Sequence, residues 1–203
     1  MVLIKQYGVM NEAKVISGNT KEEIWQQVEA NLAESPDLFE YSVIVEESGR
    51  MVELDIDIDL GGGFEGGYAF TRFVSALKNF DDFRFSLHRQ DFFDGLGKLF
   101  GMQDIVVGYP EFDKQVIVKT NYPERLHEIL SDKGLRELLQ SFTGFTFHIG
   151  HHHSANTQVE SAFLELRIDE GITEPVMLRE IYTAFVLVLN RIDLEGDSIM
   201  KYL

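Results

Sequence analysis

Histidines form the densest cluster of reactive side chains, with four of the six in the chain at His148, His151, His152 and His153. Imidazole nitrogens are ligands for Zn²⁺, Ni²⁺ and Cu²⁺. One hypothesis is therefore a divalent transition metal held by His148, His151 and His153 on a polar loop that runs from Gly150 to Gln158. A histidine run is only a compositional signal, so an exposed tract without a physiological metal is the interpretation we favour.

Four acids at alternate positions form the second candidate: Glu53, Asp55, Asp57 and Asp59. Residues two apart on a strand share a face at a spacing of about 6.6 Å, so this acidic ladder is a row of like charges. One hypothesis is that the ladder binds a basic protein partner. The alternative, which we favour, is pairing with Arg72, Arg84 or His88 on neighbouring strands. An EF-hand calcium loop does not fit, because apolar residues separate the acids.

The remaining motifs commit the chain to no reaction. Gly61 to Gly66 matches G-x-G-x-x-G, but the strand before it alternates in polarity, whereas a dinucleotide-binding strand is buried on both faces. We expect a flexible connection between strands there. The chain has no cysteine, which excludes disulfides, thiolate metal sites and cysteine nucleophiles. It also lacks the G-x-S-x-G elbow of serine hydrolases.

Charge limits the possible partners. The sequence has 18 Lys and Arg against 34 Asp and Glu, a formal net charge of −16. Such a chain is repelled by nucleic acid backbones and anionic membrane surfaces, so a basic protein partner is favoured. The longest apolar stretch, residues 184–189, is far shorter than the ~20 residues of a membrane helix. With no secretory signal at the first residues, we expect a cytoplasmic protein.

The first half of the chain predicts one helix followed by strands. Thr20 and Glu23 form a capping box that starts the helix. Strands over 41–47 and 52–60 flank Ser48-Gly49-Arg50, which predicts a hairpin. Further strands are expected over 68–77 and 83–88. These four strands should form an antiparallel meander with one wet face.

The second half mixes both kinds of element. The predicted strands and helices are a short helix over 91–100, a strand over 115–120, a helix from Pro123 interrupted at 132–134, strands over 145–149 and 162–168, and a helix from Pro175 to about Ile192. This order predicts an α+β fold with antiparallel sheet and helices packed on one face. We expect a single domain over 1–203, with possible lobes 1–90 and 91–203. The very apolar last helix leaves a homo-oligomer possible.

One segment carries a family resemblance. Residues 101–113 resemble the pattern G-x-x-D-I-x-x-G-x-x-x-F-D, which is found in bacterial domains that have no assigned activity. The residues that match the fixed positions of this pattern are Gly101, Asp104, Ile105, Gly108, Phe112 and Asp113. The resemblance implies a bacterial origin and no function. From the residues themselves, turns at the glycines and aspartates that bind loop amides are expected.

Taken together, these features favour a non-enzymatic, cytoplasmic protein-binding module, of the adaptor or immunity type, with an acidic surface. A metal-dependent enzyme or metal-binding protein that uses the histidine cluster is the alternative.

Overall fold

The structure of the chain is a computed structural model that describes residues 14–34, 39–62, 66–78, 81–89, 102–153 and 160–200. At 152–153, 160–161 and 194–200 it describes the backbone alone. The predicted helix over 91–100 and the centre of the glycine-rich run, 63–65, lie outside the described residues.

The described strands form one mixed sheet. They are β1 (Lys14–Ser17), β2 (Glu40–Glu47), β3 (Arg50–Asp59), β4 (Tyr68–Ala76), β5 (Phe85–Arg89), β6 (Gln103–Ile105), β7 (Val116–Thr120), β8 (Phe145–His153) and β9 (Glu160–Ile168). Their order across the sheet is β1-β2-β3-β4-β9-β8-β5-β7-β6. Only β1 and β2 run parallel; every other neighbouring pair is antiparallel.

The described helices are α1 (Lys21–Ala33), α2 (Pro110–Asp113), α3 (Pro123–Leu130), α4 (Lys133–Ser141) and α5 (Pro175–Met200). At the start of α1 the Glu23 amide donates to Thr20 Oγ1 over 3.2 Å, while the Glu23 carboxylate accepts from the Asn19 amide over 2.9 Å. Proline at the first turn starts α2, α3 and α5, where a missing N–H costs no hydrogen bond. Asp132 caps α4 by accepting from the Leu135 amide.

The helices pack on one side of the sheet, which we call the helical face. Phe185 of α5 lies against Phe73 of β4 and Phe147 of β8, with ring centroids 6.0 and 6.1 Å apart. Trp25 of α1 meets Tyr182 of α5 edge to face at 5.4 Å. All five side chains are buried, so burial of aromatic surface holds the two layers together.

The α+β prediction is confirmed, and so are the main helices and strands. The Ser48-Gly49 turn forms as predicted, with both residues at positive φ, 54° and 72°, as a two-residue type I′ hairpin requires. Asp113 accepts from the amides of Val107 and Gly108, the structural role expected for it.

The predicted meander is wrong beyond its third strand. Strands β2, β3 and β4 are consecutive neighbours, but β9 and β8 lie between β4 and β5. Strands from both predicted lobes therefore belong to one sheet. Strands β1 and β6 and helix α2 were not predicted, because they are three or four residues long and so carry almost no periodicity.

Candidate functional site

The side of the sheet opposite the helical face carries the polar side chains, and we call it the polar face. One line of directly opposed residues crosses eight strands there: Ile44, Glu53, Val74, Glu165, His148, Ser86, Lys119 and Asp104. Because opposed side chains on neighbouring strands are about 5 Å apart, this register decides which charges meet.

Three carboxylates surround one guanidinium at the centre of the polar face. The arginine is Arg72 of β4. It donates to Asp55 Oδ2 from Nη2 over 2.6 Å and from Nε over 3.1 Å. The same Nη2 donates to Glu53 Oε1 over 3.3 Å, and Nη1 lies 3.8 Å from Glu165 Oε2. We call these four residues the Arg72 cluster; each side chain in it keeps only 16–25% of its surface exposed.

The cluster holds more negative than positive charge, and burial makes that excess costly. Asp55 has the strongest bonds, because Ser42 Oγ also donates to its Oδ1 over 2.7 Å. Burial, followed by the like charge of Asp55, raises the pKa of Glu53 to about 7, although Arg72 opposes the shift. Glu53 is therefore partly protonated at neutral pH.

The outer end of the acidic ladder has a different environment. Asp57 stands directly opposite Glu40 on β2, and Asp59 stands opposite Tyr68 on β4. Tyr68 Oη donates to Asp57 Oδ2 over 3.2 Å, and the Gly61 amide donates to Asp59 Oδ1 over 2.8 Å. Among the described residues no Lys, Arg or His forms an ion pair with these three carboxylates.

We call Glu40, Asp57, Asp59 and Tyr68 the outer acidic patch. The negative potential of the patch affects the phenol of Tyr68. Asp57 has the largest effect in raising the pKa of Tyr68, and Asp59 and Glu40 raise it further. The ring is 53% exposed and stacks on Phe70 at 6.5 Å. The guanidinium carbon of Arg167 lies 4.0 Å from the centroid of the Phe70 ring. The patch thus combines uncompensated carboxylates with an accessible aromatic ring.

The cross-strand pairing favoured for the ladder occurs at its inner half and through one of the three predicted cations. Arg72 pairs with Glu53 and Asp55. Arg84 precedes β5 and His88 lies on it, and β5 is separated from β3 by three strands. The ladder thus divides into an inner half that is paired with a cation of the protein and an outer half that has no cationic partner among the described residues.

Two of the predicted metal ligands, His148 and His151, do not converge. His148, His151, His152 and His153 lie on strand β8, which continues to residue 153, so the expected polar loop does not begin at Gly150. His148 and His151 are an odd number of positions apart and therefore lie on opposite faces of the sheet. The described residues contain no group of three metal-ligating side chains. The side chain of His153 is not described, so the three-histidine site stays a prediction.

Burial lowers the pKa of His148, and Glu165 opposes that shift. Its Nδ1 and the hydroxyl of Ser86 have no hydrogen-bond partner among the described residues. Glu165, His148 and Ser86 follow one another in the order acid, histidine, serine, but the structure gives no hydrogen bond between them. Ser86 is also 0% exposed.

The sequence patterns did not indicate Glu40, Tyr68 or Glu165 as members of the site. One signal could have found Glu40. A two-residue hairpin turn after Glu47 pairs that residue with Arg50. Moving away from the turn by seven residues on each strand then places Glu40 opposite Asp57. Nothing comparable fixes the register of β9 beside β4, because residues 77–159 separate the two strands in the sequence.

Comparisons with known proteins give no family. No family model matches the chain, and no curated protein is similar to it in sequence. A structural comparison finds the crystal structure of the mycobacterial trehalose monomycolate transport factor A, TtfA, at 6% identity and a TM-score of 0.38, over 79% of this chain and 74% of that one. Among the described residues, no helix has the length and apolar character needed to cross a membrane.

Proposed function

We propose that the protein is a non-enzymatic, cytoplasmic protein-binding module, of the adaptor or immunity type, that binds a basic segment of a protein partner along the acidic ladder. The outer acidic patch is the observation that supports this proposal. Its carboxylates have no cationic partner among the described side chains, and the exposed ring of Tyr68 lies between them. Arginine and lysine side chains of a partner supply the missing charge, and an arginine also stacks on the ring.

The inner half of the ladder has a supporting role in this proposal. Glu53 and Asp55 already have Arg72 as a cationic partner, so a partner protein gains less there. The formal net charge of −16 adds long-range attraction for a basic partner, which speeds association and weakens with salt.

The test is a charge-removal variant that preserves hydrogen bonding. Asp57→Asn with Asp59→Asn keeps acceptors for Tyr68 and Gly61 while it removes two charges. We expect affinity for a deca-arginine peptide at low salt to fall by about two- to fivefold per charge. The matched control, Glu29→Gln with Glu128→Gln, removes two charges from exposed positions on α1 and α3.

Equal losses in the two double variants would mean that binding follows net charge alone and would refute a site on the ladder. Tyr68→Leu separates stacking from charge. It should lower the affinity for deca-arginine more than the affinity for deca-lysine, because the guanidinium is the cation that stacks on an aromatic face.

A further inference from the structure

The inner half of the acidic ladder holds two carboxylates that compete for one cationic nitrogen. Nη2 of Arg72 donates to Asp55 over 2.6 Å and to Glu53 over 3.3 Å, so the two carboxylates meet at the same atom. Asp55 also accepts from Arg72 Nε and from Ser42 Oγ, whereas Glu53 has this one long bond. Asp55 is therefore the better stabilised anion of the pair.

The groups around Glu53 supply little further positive charge. On β2 it faces Ile44, with Ser42 and Glu46 diagonally beside it; on β4 it faces Val74, next to Arg72. Beyond Val74 comes Glu165 on β9, another carboxylate. Arg167 stands opposite Arg72, but its guanidinium lies over Phe70 and 3.6 Å from Asp169.

We propose that Glu53 and Asp55 share a single proton near neutral pH, and that a basic partner bound on the acidic ladder expels it. The second half of this statement rests on the proposed function. Two half-buried carboxylates this close cannot both ionise cheaply, and the weaker anion, Glu53, keeps the proton. Positive charge brought by a partner favours the doubly ionised pair, so binding and proton release are thermodynamically linked.

This linkage makes the ladder sensitive to pH. Below pH 7 the ladder is one charge less negative, and a basic partner must displace a proton to bind fully. Above pH 7 the charge is already present and affinity is higher.

The first experiment tests proton sharing without a partner. The side-chain carboxyl ¹³C resonance of Glu53 is followed from pH 4 to 9, and Glu53→Gln provides its assignment. We expect a midpoint near 7 in the unmodified protein. In Asp55→Asn the midpoint should shift toward the ordinary value of 4.5, because the competing charge is removed. A midpoint near 4.5 in the unmodified protein, or no shift in Asp55→Asn, overturns the proposal.

The second experiment measures proton release on binding. Calorimetric titration with a deca-lysine peptide at pH 7, in phosphate and in Tris at equal ionic strength, reports protons passed to the buffer. We expect release of up to roughly half a proton per complex in the unmodified protein and almost none in Glu53→Gln. The control Asp57→Asn should bind more weakly yet still release the proton.

The two proposals fail in different ways. Equal release by the unmodified protein and Glu53→Gln contradicts the linkage while leaving the docking function standing. Absence of binding in both buffers contradicts the docking function and proton expulsion together, and the carboxyl titration then decides proton sharing by itself.

Discussion

Around Phe185 the helical face of the sheet is held by apolar rings that pack on one another, whereas the centre of the polar face is held by side chains whose charge depends on their neighbours. On the helical face, Phe73, Phe147 and Phe185 are 0–1% exposed and share ring contacts. On the polar face, Arg72 binds three carboxylates. Changes to the first should alter stability equally at every pH, and changes to the second should alter it differently in acid and base.

The largest effect is expected from the helical face. Phe185→Ala removes the ring between two strands and should lower the free energy of unfolding by about 3–5 kcal/mol, at pH 5 and at pH 8 alike. Urea denaturation at both values measures this. Val176→Ala, on the same helix but 69% exposed, should change little. A strong pH dependence in Phe185→Ala would break the contrast between the faces.

Removing the cation of the polar face should have the next largest effect. Arg72→Met leaves three carboxylates without their shared guanidinium and should cost about 2–3 kcal/mol at pH 8. The cost should be smaller at pH 5, where protons replace the lost charge. Denaturation at the two values tests this, and Arg179→Met, which breaks the exposed pair with Glu22, should cost much less than Arg72→Met.

Glu53→Gln should stabilise the protein in base. The pKa of Glu53 is about 7 in the folded protein against 4.5 ordinarily, so the folded state binds the proton more tightly than the unfolded state. Stability therefore falls as pH rises from 4.5 to 7. The glutamine variant avoids that loss and should gain roughly 1–2 kcal/mol at pH 8 and little at pH 4. Glu128→Gln is the exposed control, and a destabilised Glu53→Gln at pH 8 would contradict the account.

His148 should give the opposite, and smallest, pH dependence. Burial lowers its pKa below 6.5, so the unfolded state binds the proton more readily and stability falls as pH drops below that value. In His148→Asn the acid side of the stability profile should flatten, as thermal denaturation from pH 4 to 7 would show.

How far the sequence predicts this molecule depends on how local each feature is. Alternation located β2 and β3, and the Ser48-Gly49 turn paired them. The capping box located α1. The insertion of β9 and β8 between β4 and β5 joins residues far apart in sequence, and no local pattern encodes it. Arg72 could be proposed as a partner of the ladder because β4 follows β3 closely in the sequence. Glu165 could not be proposed as the third carboxylate around Arg72, because β9 is far from both strands in the sequence.

The histidine cluster shows a different limit. Its composition suggested a loop, yet strand β8, which begins at Phe145, continues through His153. Three consecutive histidines give little indication of a strand, because they interrupt the alternation of polar and apolar residues by which a strand is recognised. Pairing with β9 carries the strand further than its own residues indicate.

The pairing of β4 with β9 has a consequence for how the chain is made. Thr71 lies beside Ile168 in the finished sheet, so the edge of β4 stays unpaired until residues 160–168 have been synthesised. Such distant closure slows folding and exposes a strand edge to other chains during synthesis. We therefore expect nascent chains cut short before residue 160 to aggregate or to require a chaperone.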